Sequence, residues 1–208
     1  MPNKAWERLM AGNQRFVADQ PLHPNQDTAR REALSQSQTP FVTLFGCSDS
    51  RVAAEMIFDV GLGDMFVVRN AGQVIDPVTL GSLEYGVEVL GTPMLVVLGH
   101  DSCGAVTAAV DSYDSGETPP GFISDVVARI LPTVARARRN GRRTINETVA
   151  QNTIDVTDKI MQLSSIISHA VEEGRLIIVG LTYQLHDGRT TVVARYGGDD
   201  SDVTTLAS

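Results

Sequence analysis

Met94-Leu95-Val96-Val97-Leu98-Gly99-His100-Asp101-Ser102-Cys103 decides the architecture, because an unbroken apolar run ends in a glycine and gives way at once to reactive side chains. A short run of that kind reads as a strand buried on both faces, the habit of a parallel sheet. The residues just past such a strand's carboxyl end are where open α/β sheets hold ligands. The same arrangement occurs earlier, where Val42-Thr43-Leu44-Phe45-Gly46 runs into Cys47-Ser48-Asp49-Ser50-Arg51. The two cysteines of the chain, Cys47 and Cys103, thus stand at two strand ends, with His100 three positions before the second. Two thiolates and one imidazole suit zinc, and a tetrahedral ion with three protein ligands keeps its fourth position for chemistry. One Zn2+ per chain is the expected cofactor.

Outward from these segments, helices alternate with strands. Trp6, Leu9, Met10, Phe16 and Val17 fall at helical spacing behind Asn3 as a cap, and 21–38 reads as a loop with a short helix. Strands are expected at 41–46, 65–68, 94–98, 176–179 and, after the His186-Asp187-Gly188 turn, 190–193. Asp76-Pro77 opens a helix whose stripe is Leu80, Leu83, Val87 and Leu90. A helix starts at Cys103, a polar loop covers 111–120, and helices follow at 123–139 and 144–173, the latter with a Thr144–Glu147 capping box. The expected fold is α/β: a mostly parallel sheet with an antiparallel edge strand, helices on both faces and an amino-terminal helical arm. One domain spans 1–208, divided into an arm (1–38), a catalytic core (39–195) and a loose acidic tail (196–208).

At 208 residues the chain buries ~70% of the surface its unfolded form exposes, so no metal is needed merely to hold a core. A net charge of −8 argues against a nucleic-acid partner. Arg136, Arg138, Arg139, Arg142 and Arg143 cluster, but they read as a solvated helix end. Polar residues interrupt the first twenty positions, so no signal peptide is expected, and no run reaches the ~18 apolar residues of a membrane span. The expected location is the cytoplasm, with no membrane partner and with thiols reduced, which favours ligands over a disulfide. His23, His169 and His186 lack ligand spacing. Gly61-x-Gly63-x-x-Phe66 lacks the third glycine of a dinucleotide fingerprint and precedes a strand, so it is a turn.

Cys-Ser-Asp-Ser-Arg at 47–51, Val-Val-Arg-Asn-Ala-Gly at 67–72, Gly-Ser-Leu-Glu-Tyr at 81–85 and Gly-His-Asp-Ser-Cys-Gly at 99–104 together resemble the β-class carbonic anhydrases. The resemblance extends from about Trp6 to Val193. It implies zinc on Cys47, His100 and Cys103, and reversible hydration of carbon dioxide to bicarbonate and a proton by metal-bound hydroxide. It also implies that Asp49 and Arg51 gate and orient the fourth zinc position. Asp49 on the metal closes the site, and Asp49 paired to Arg51 opens it. By the same resemblance Gln38 bonds a substrate oxygen, Phe66 and Tyr85 line an apolar pocket that Val74 joins, and Gly104 puts a backbone N–H beside the metal. A homodimer or homotetramer is implied, with the amino-terminal helix embracing a partner. Asp101, between two ligands, is read either as a contact to the turn or as a cap for the next helix.

Two thiolates cancel the formal charge of zinc, so bound water should be acidified less than the ~7 of three-histidine sites. Activity is therefore expected to rise through mildly alkaline pH. Some bacterial members with a regulatory bicarbonate pocket carry Trp three residues before the first cysteine. Leu44 stands there in this chain, so bicarbonate control is not expected although Arg69 is present. The competing readings are hydrolysis of carbonyl sulfide or carbon disulfide by the same centre, a non-catalytic zinc sensor with Asp49 fixed on the metal, and a thiol-redox protein using both cysteines. A zinc alcohol dehydrogenase shares the ligand types, but the nucleotide fingerprint is missing.

Overall fold

The computed structural model describes residues 1–198. In it the apolar runs form β1 (Val42–Cys47), β2 (Met65–Asn70), β3 (Met94–His100), β4 (Ile177–Tyr183) and β5 (Thr190–Tyr196). They make one sheet in the order β2-β1-β3-β4-β5, parallel except where β5 runs antiparallel to β4. Every residue of β1 and β3 is buried, which is why their sequences are continuous apolar runs rather than alternating ones.

Both faces are covered. On one side, Leu9 of α1 (Pro2–Val17) and Ile57 of α3 (Ala54–Ile57) pack with Leu44, Val96 and Val179. On the other, Val156 and Ile160 of α7 (Ile145–Leu163) and Ile167 of α8 (Ser165–Glu172) pack with Phe45, Leu95, Val97 and Ile178. Each such side chain contributes about 1.5–3 kcal/mol by leaving water, enough for packing to decide the register of every strand. Helix α7 lies very close to the sheet at Gly99, where a Cβ would stand 2.2 Å from Thr153 Oγ1. The Thr153 hydroxyl is itself satisfied by the carbonyl of Val149.

Two buried aspartates tie the arm down. Asp59 accepts from the backbone N–H groups of Leu22 and His23 and from Arg15 Nε, each within 3.0 Å. Asp64 accepts from Arg8, Asn25 and the Gly61 N–H. The short helix expected within 21–38 is α2 (Thr28–Ala33), capped by Asp27. Among the described residues no helix is long and apolar enough to cross a membrane.

Several local expectations change. Asn3 does not cap α1, which begins at Pro2 with Met1 in the cap position and no side-chain bond there. Helix α5 (Gly104–Ser115) continues through the first half of the expected 111–120 loop and stops at Gly116, whose φ of 76° provides the left-handed terminus. The expected 144–173 helix is two. Ser164 breaks it by accepting from the Ile167 N–H and donating to Glu84 Oε1 at 2.6 Å, which makes it the cap of α8. Helix α4 (Pro77–Glu84) starts at the Asp76 cap as expected. Tyr85–Val89 then winds as a π-type turn, and Leu80 and Leu90 end only partly buried while Leu83 and Val87 are in the core. The expected tail began at 196, but Tyr196 closes β5, and 199–208 lie outside the described residues.

Candidate metal centre

Adjacent parallel strands deliver the first two candidate ligands. Gly46 of β1 pairs with Leu98 of β3, so Cys47 and His100 emerge side by side at the carboxyl end of the sheet. Cys103 returns to the same point through a tight turn in which Ser102 adopts a φ of 52°. That left-handed conformation is costly for a residue with a Cβ, and Asn146 Oδ1 holds it by accepting the Ser102 N–H at 3.0 Å. Cys103 is also the cap residue of α5, where the Ala105 and Val106 N–H groups face its sulfur.

The Cys47 Sγ, His100 and Cys103 Sγ donor atoms lie within 4.8 Å of one another, and all three residues are buried. The sulfurs are 4.0 Å apart. Two thiolates ~2.3 Å from one ion at the tetrahedral angle are ~3.8 Å apart, whereas a disulfide needs ~2.05 Å. His100 is wholly buried, and its Nδ1 lies 2.8 Å from the Asp101 carbonyl oxygen. A carbonyl only accepts, so Nδ1 carries the proton and Nε2 presents a lone pair. That Nε2 has no hydrogen-bond partner, an unusual state for a buried nitrogen and the one expected of a metal ligand.

The sulfurs titrate as a pair. The Cys103 S–H donates to the Cys47 sulfur, with help from His100 and the Gly72 N–H, and pulls the Cys47 pKa down to about 4 although burial opposes it. Cys103 is pushed up by the same bond and by burial, since its ionisation sets a second negative charge beside the first. Burial lowers the His100 pKa, but the neighbouring Cys47 sulfur outweighs that and raises it. A dication among these three groups removes the repulsion that retains the Cys103 proton, so the donor set fits a soft or borderline metal.

Asp49 stands at the edge of this cluster, with Oδ2 3.8 Å from His100 Nε2. Arg51 Nε and Nη2 donate to Asp49 Oδ1 and Oδ2 at 2.9 and 2.7 Å, and the Arg51 backbone N–H adds a third bond. The Arg51 guanidinium thereby holds the Asp49 carboxyl well below the usual carboxylate range. From β2, Arg69 braces the loop by donating to the carbonyls of Cys47 and Asp49. Neither Arg69 in this bracing role nor Asn146 was legible in the sequence, because both act across long chain separations on backbone atoms.

The pocket residues named from the sequence fall into two groups. Val74 packs in one cluster with Cys47 and Cys103 and is clamped by both side-chain atoms of Asn70. Gly104 opens α5 next to Cys103, and nothing lies within 4 Å of where its Cβ would be. Phe66, by contrast, pairs with Thr43, four positions short of Cys47, or ~13 Å along the strand. Tyr85 lies against Phe66, ring centroids 5.9 Å apart, and is 46% exposed. Gln38 is exposed beside Leu62 and Gly63, at the amino end of the sheet and opposite the metal cluster. One chain therefore does not bring Gln38, Phe66 and Tyr85 to the Cys47–His100–Cys103 cluster. Asp101 contributes through its backbone carbonyl, while its carboxylate accepts the Leu185 N–H.

The sequence model of the family described as carbonic anhydrase matches residues 42–190. A carbonic anhydrase of Mycolicibacterium smegmatis is 49% identical over 201 residues, covering 95% of this chain and 98% of that protein. Carbonic anhydrase 2 of Mycobacterium tuberculosis is 49% identical over 202 residues, covering 97% and 98%. Among solved structures, the β-carbonic anhydrase CcaA superposes with a TM-score of 0.74 at 25% identity, covering 94% of this chain and 93% of that one. The Coccomyxa β-carbonic anhydrase in complex with acetazolamide shares the fold at a TM-score of 0.71 and 24% identity, covering 80% and 78%. By its motifs, its fold and its near full-length relatives, the chain belongs to the β-carbonic anhydrase family.

Proposed function

We propose that this carbonic anhydrase hydrates carbon dioxide reversibly to bicarbonate and a proton at one zinc ion held by Cys47 Sγ, His100 Nε2 and Cys103 Sγ. The observation that carries the reading is the buried donor cluster, with a histidine nitrogen that no protein group satisfies. Zinc would supply Lewis acidity to the water that attacks the substrate carbon.

The chain's own residues then have separable tasks. Arg51 keeps the Asp49 carboxylate ionised and off the ligand atoms, and Asp49 accepts a proton-bearing group at the fourth position and orients it. If Arg51 lets go, Asp49 is near enough to His100 Nε2 to occupy that position itself and shut the site. Val74 gives carbon dioxide an apolar wall, and the Gly104 N–H, at a position with no side chain, faces the substrate oxygen. If Gln38, Phe66 and Tyr85 contact substrate, a second copy must bring them, because they lie far from the cluster in their own chain. A homodimer or homotetramer would provide that arrangement, and two tetrameric β-carbonic anhydrases from Sordaria macrospora share the fold. We assign the arm, residues 1–38, to this embrace, residues 39–195 to the catalytic core, and the protein to the reducing cytoplasm.

Zinc stoichiometry and stopped-flow hydration rates, measured together across pH for wild type and Asp49→Ala, test the reading. One zinc per chain with rapid hydration supports it. A metal-free protein that ignores added zinc sinks it, and zinc without hydration turns it into a sensor.

A further inference from the structure

A cleft of about 310 Å³ opens between the Ala71–Gln73 turn, α6 (Ile123–Arg139) and α7, and it contains neither the metal ligands nor the Asp49–Arg51 pair. Its volume is at the small end of ligand pockets. The walls are apolar, formed by Ile130, Pro132, Val156 and Leu163. The charged residues lining it are two cations, Arg129 and Lys159, with no carboxylate between them. Among the described residues neither cation is in an ion pair. Asp76, whose charge interacts with Arg129, accepts the Thr79 N–H instead. Arg129 Nη1 donates to the Ile75 carbonyl, which steadies the guanidinium and leaves its other N–H groups free.

A third donor is present. Gln73 lines the cleft, is 2% exposed and has a side-chain nitrogen with no hydrogen-bond partner. A buried amide left unsatisfied is costly, so a ligand that accepts from it is favoured. Gln73 also has a left-handed φ of 54°, in a turn whose Gly72 carbonyl is held by Asn152 Nδ2. In a chain of net charge −8, two cations outside any ion pair and an unspent buried N–H beside apolar walls select an anion with an apolar body.

We propose that this cleft binds a small organic carboxylate, its charged end on Arg129 and Lys159 and its apolar body against Ile130, Val156 and Leu163. The cleft shares no ligand residue with the metal centre, although Val74, proposed as the apolar wall for carbon dioxide, is among its lining residues.

Benzoate is the probe, titrated into zinc-loaded protein with 13C-labelled methyl groups. Saturable shifts of the Ile130, Val156 and Leu163 methyls are expected. Benzamide, of the same shape without the charge, should bind about tenfold more weakly or worse, the scale of losing charge-assisted hydrogen bonds. Arg129→Gln with Lys159→Gln should abolish the shifts and leave hydration without benzoate unchanged. Arg129→Lys should retain them, which separates lost charge from damaged packing. The proposal is overturned if benzamide binds as well as benzoate, if the double variant still binds, or if wild-type shifts are absent or confined to the surroundings of Cys47.

Discussion

Arg51 grips Asp49 through two parallel bonds of 2.9 and 2.7 Å and holds its carboxylate 3.8 Å from His100 Nε2. A fork on a carboxylate sets its plane as well as its place, which a lysine could not do. Arg51→Gln should leave one zinc per chain and an unchanged circular-dichroism spectrum. It should cut the hydration rate by about 100-fold, the usual penalty of a misplaced catalytic group. An unchanged stopped-flow rate would reduce the pair to an exposed ion pair of little consequence.

His100 has one lone pair to give, and its ring is oriented by the Asp101 carbonyl. His100→Ala and Cys103→Ser should each drop zinc well below one per chain and abolish hydration. The fold should survive, because Phe45, Leu95, Val97 and Ile178 are packed by helices rather than by metal. Atomic-emission metal analysis beside far-ultraviolet circular dichroism checks both halves; a variant that unfolds outright contradicts the second.

Burial pushes the Asp59 pKa up, but the Leu22 and His23 N–H groups and Arg15 win and depress it. A depressed carboxylate contributes stability above its unfolded pKa of ~3.9, and that contribution is lost as pH falls through the folded value. Asp59→Asn should therefore destabilise the protein at pH 7 by about 2 kcal/mol, as for bonds to a charged group. The difference should begin to shrink only as pH falls below about 3.9. Parallel melting curves for variant and wild type from pH 7 to 3, with a constant gap, would refute the linkage.

Two glycines near the ligands should behave oppositely. A Cβ at Gly99 collides with Thr153 Oγ1, whereas at Gly104 it meets open space. Gly99→Ala should cost about 1–3 kcal/mol by overpacking, measured by urea denaturation, and disturb zinc binding through His100. Gly104→Ala should melt like wild type yet hydrate carbon dioxide more slowly. Equal effects on stability would mean that Gly104 serves only the fold.

If a second copy supplies Gln38, a chain with Cys47→Ser and a chain with Gln38→Ala should complement when refolded together. Random pairing makes half the dimers mixed, each with one complete site, so about a quarter of wild-type activity should return. No recovery in mixed dimers, verified by mass, would mean that Gln38 does not act across chains.

The strands were legible because β1 and β3 are buried on both faces and must read as apolar runs. Caps were legible where a side chain serves its own helix, as Asp76 does for α4 and Thr144 for α7. The break at Ser164 was not, because its local cap on Ile167 sits inside a continuous helical pattern and its other bond goes to Glu84, 80 positions away. The three residues that could hold a metal were equally plain, since Cys47, His100 and Cys103 sit in local turns next to strand ends.

Local chemistry, then, was in the sequence by itself: which groups can bind a metal, which residues start helices, and that a parallel sheet sets two strand ends side by side. Only the tertiary structure decided the 4.0 Å sulfur separation, the free Nε2 of His100 and the brace from Arg69. It alone separated Gln38, Phe66 and Tyr85 from the cluster that their motifs accompany. The reason is physical: propensity and periodicity act over a few residues, whereas these distances arise where packing brings together segments far apart in the chain.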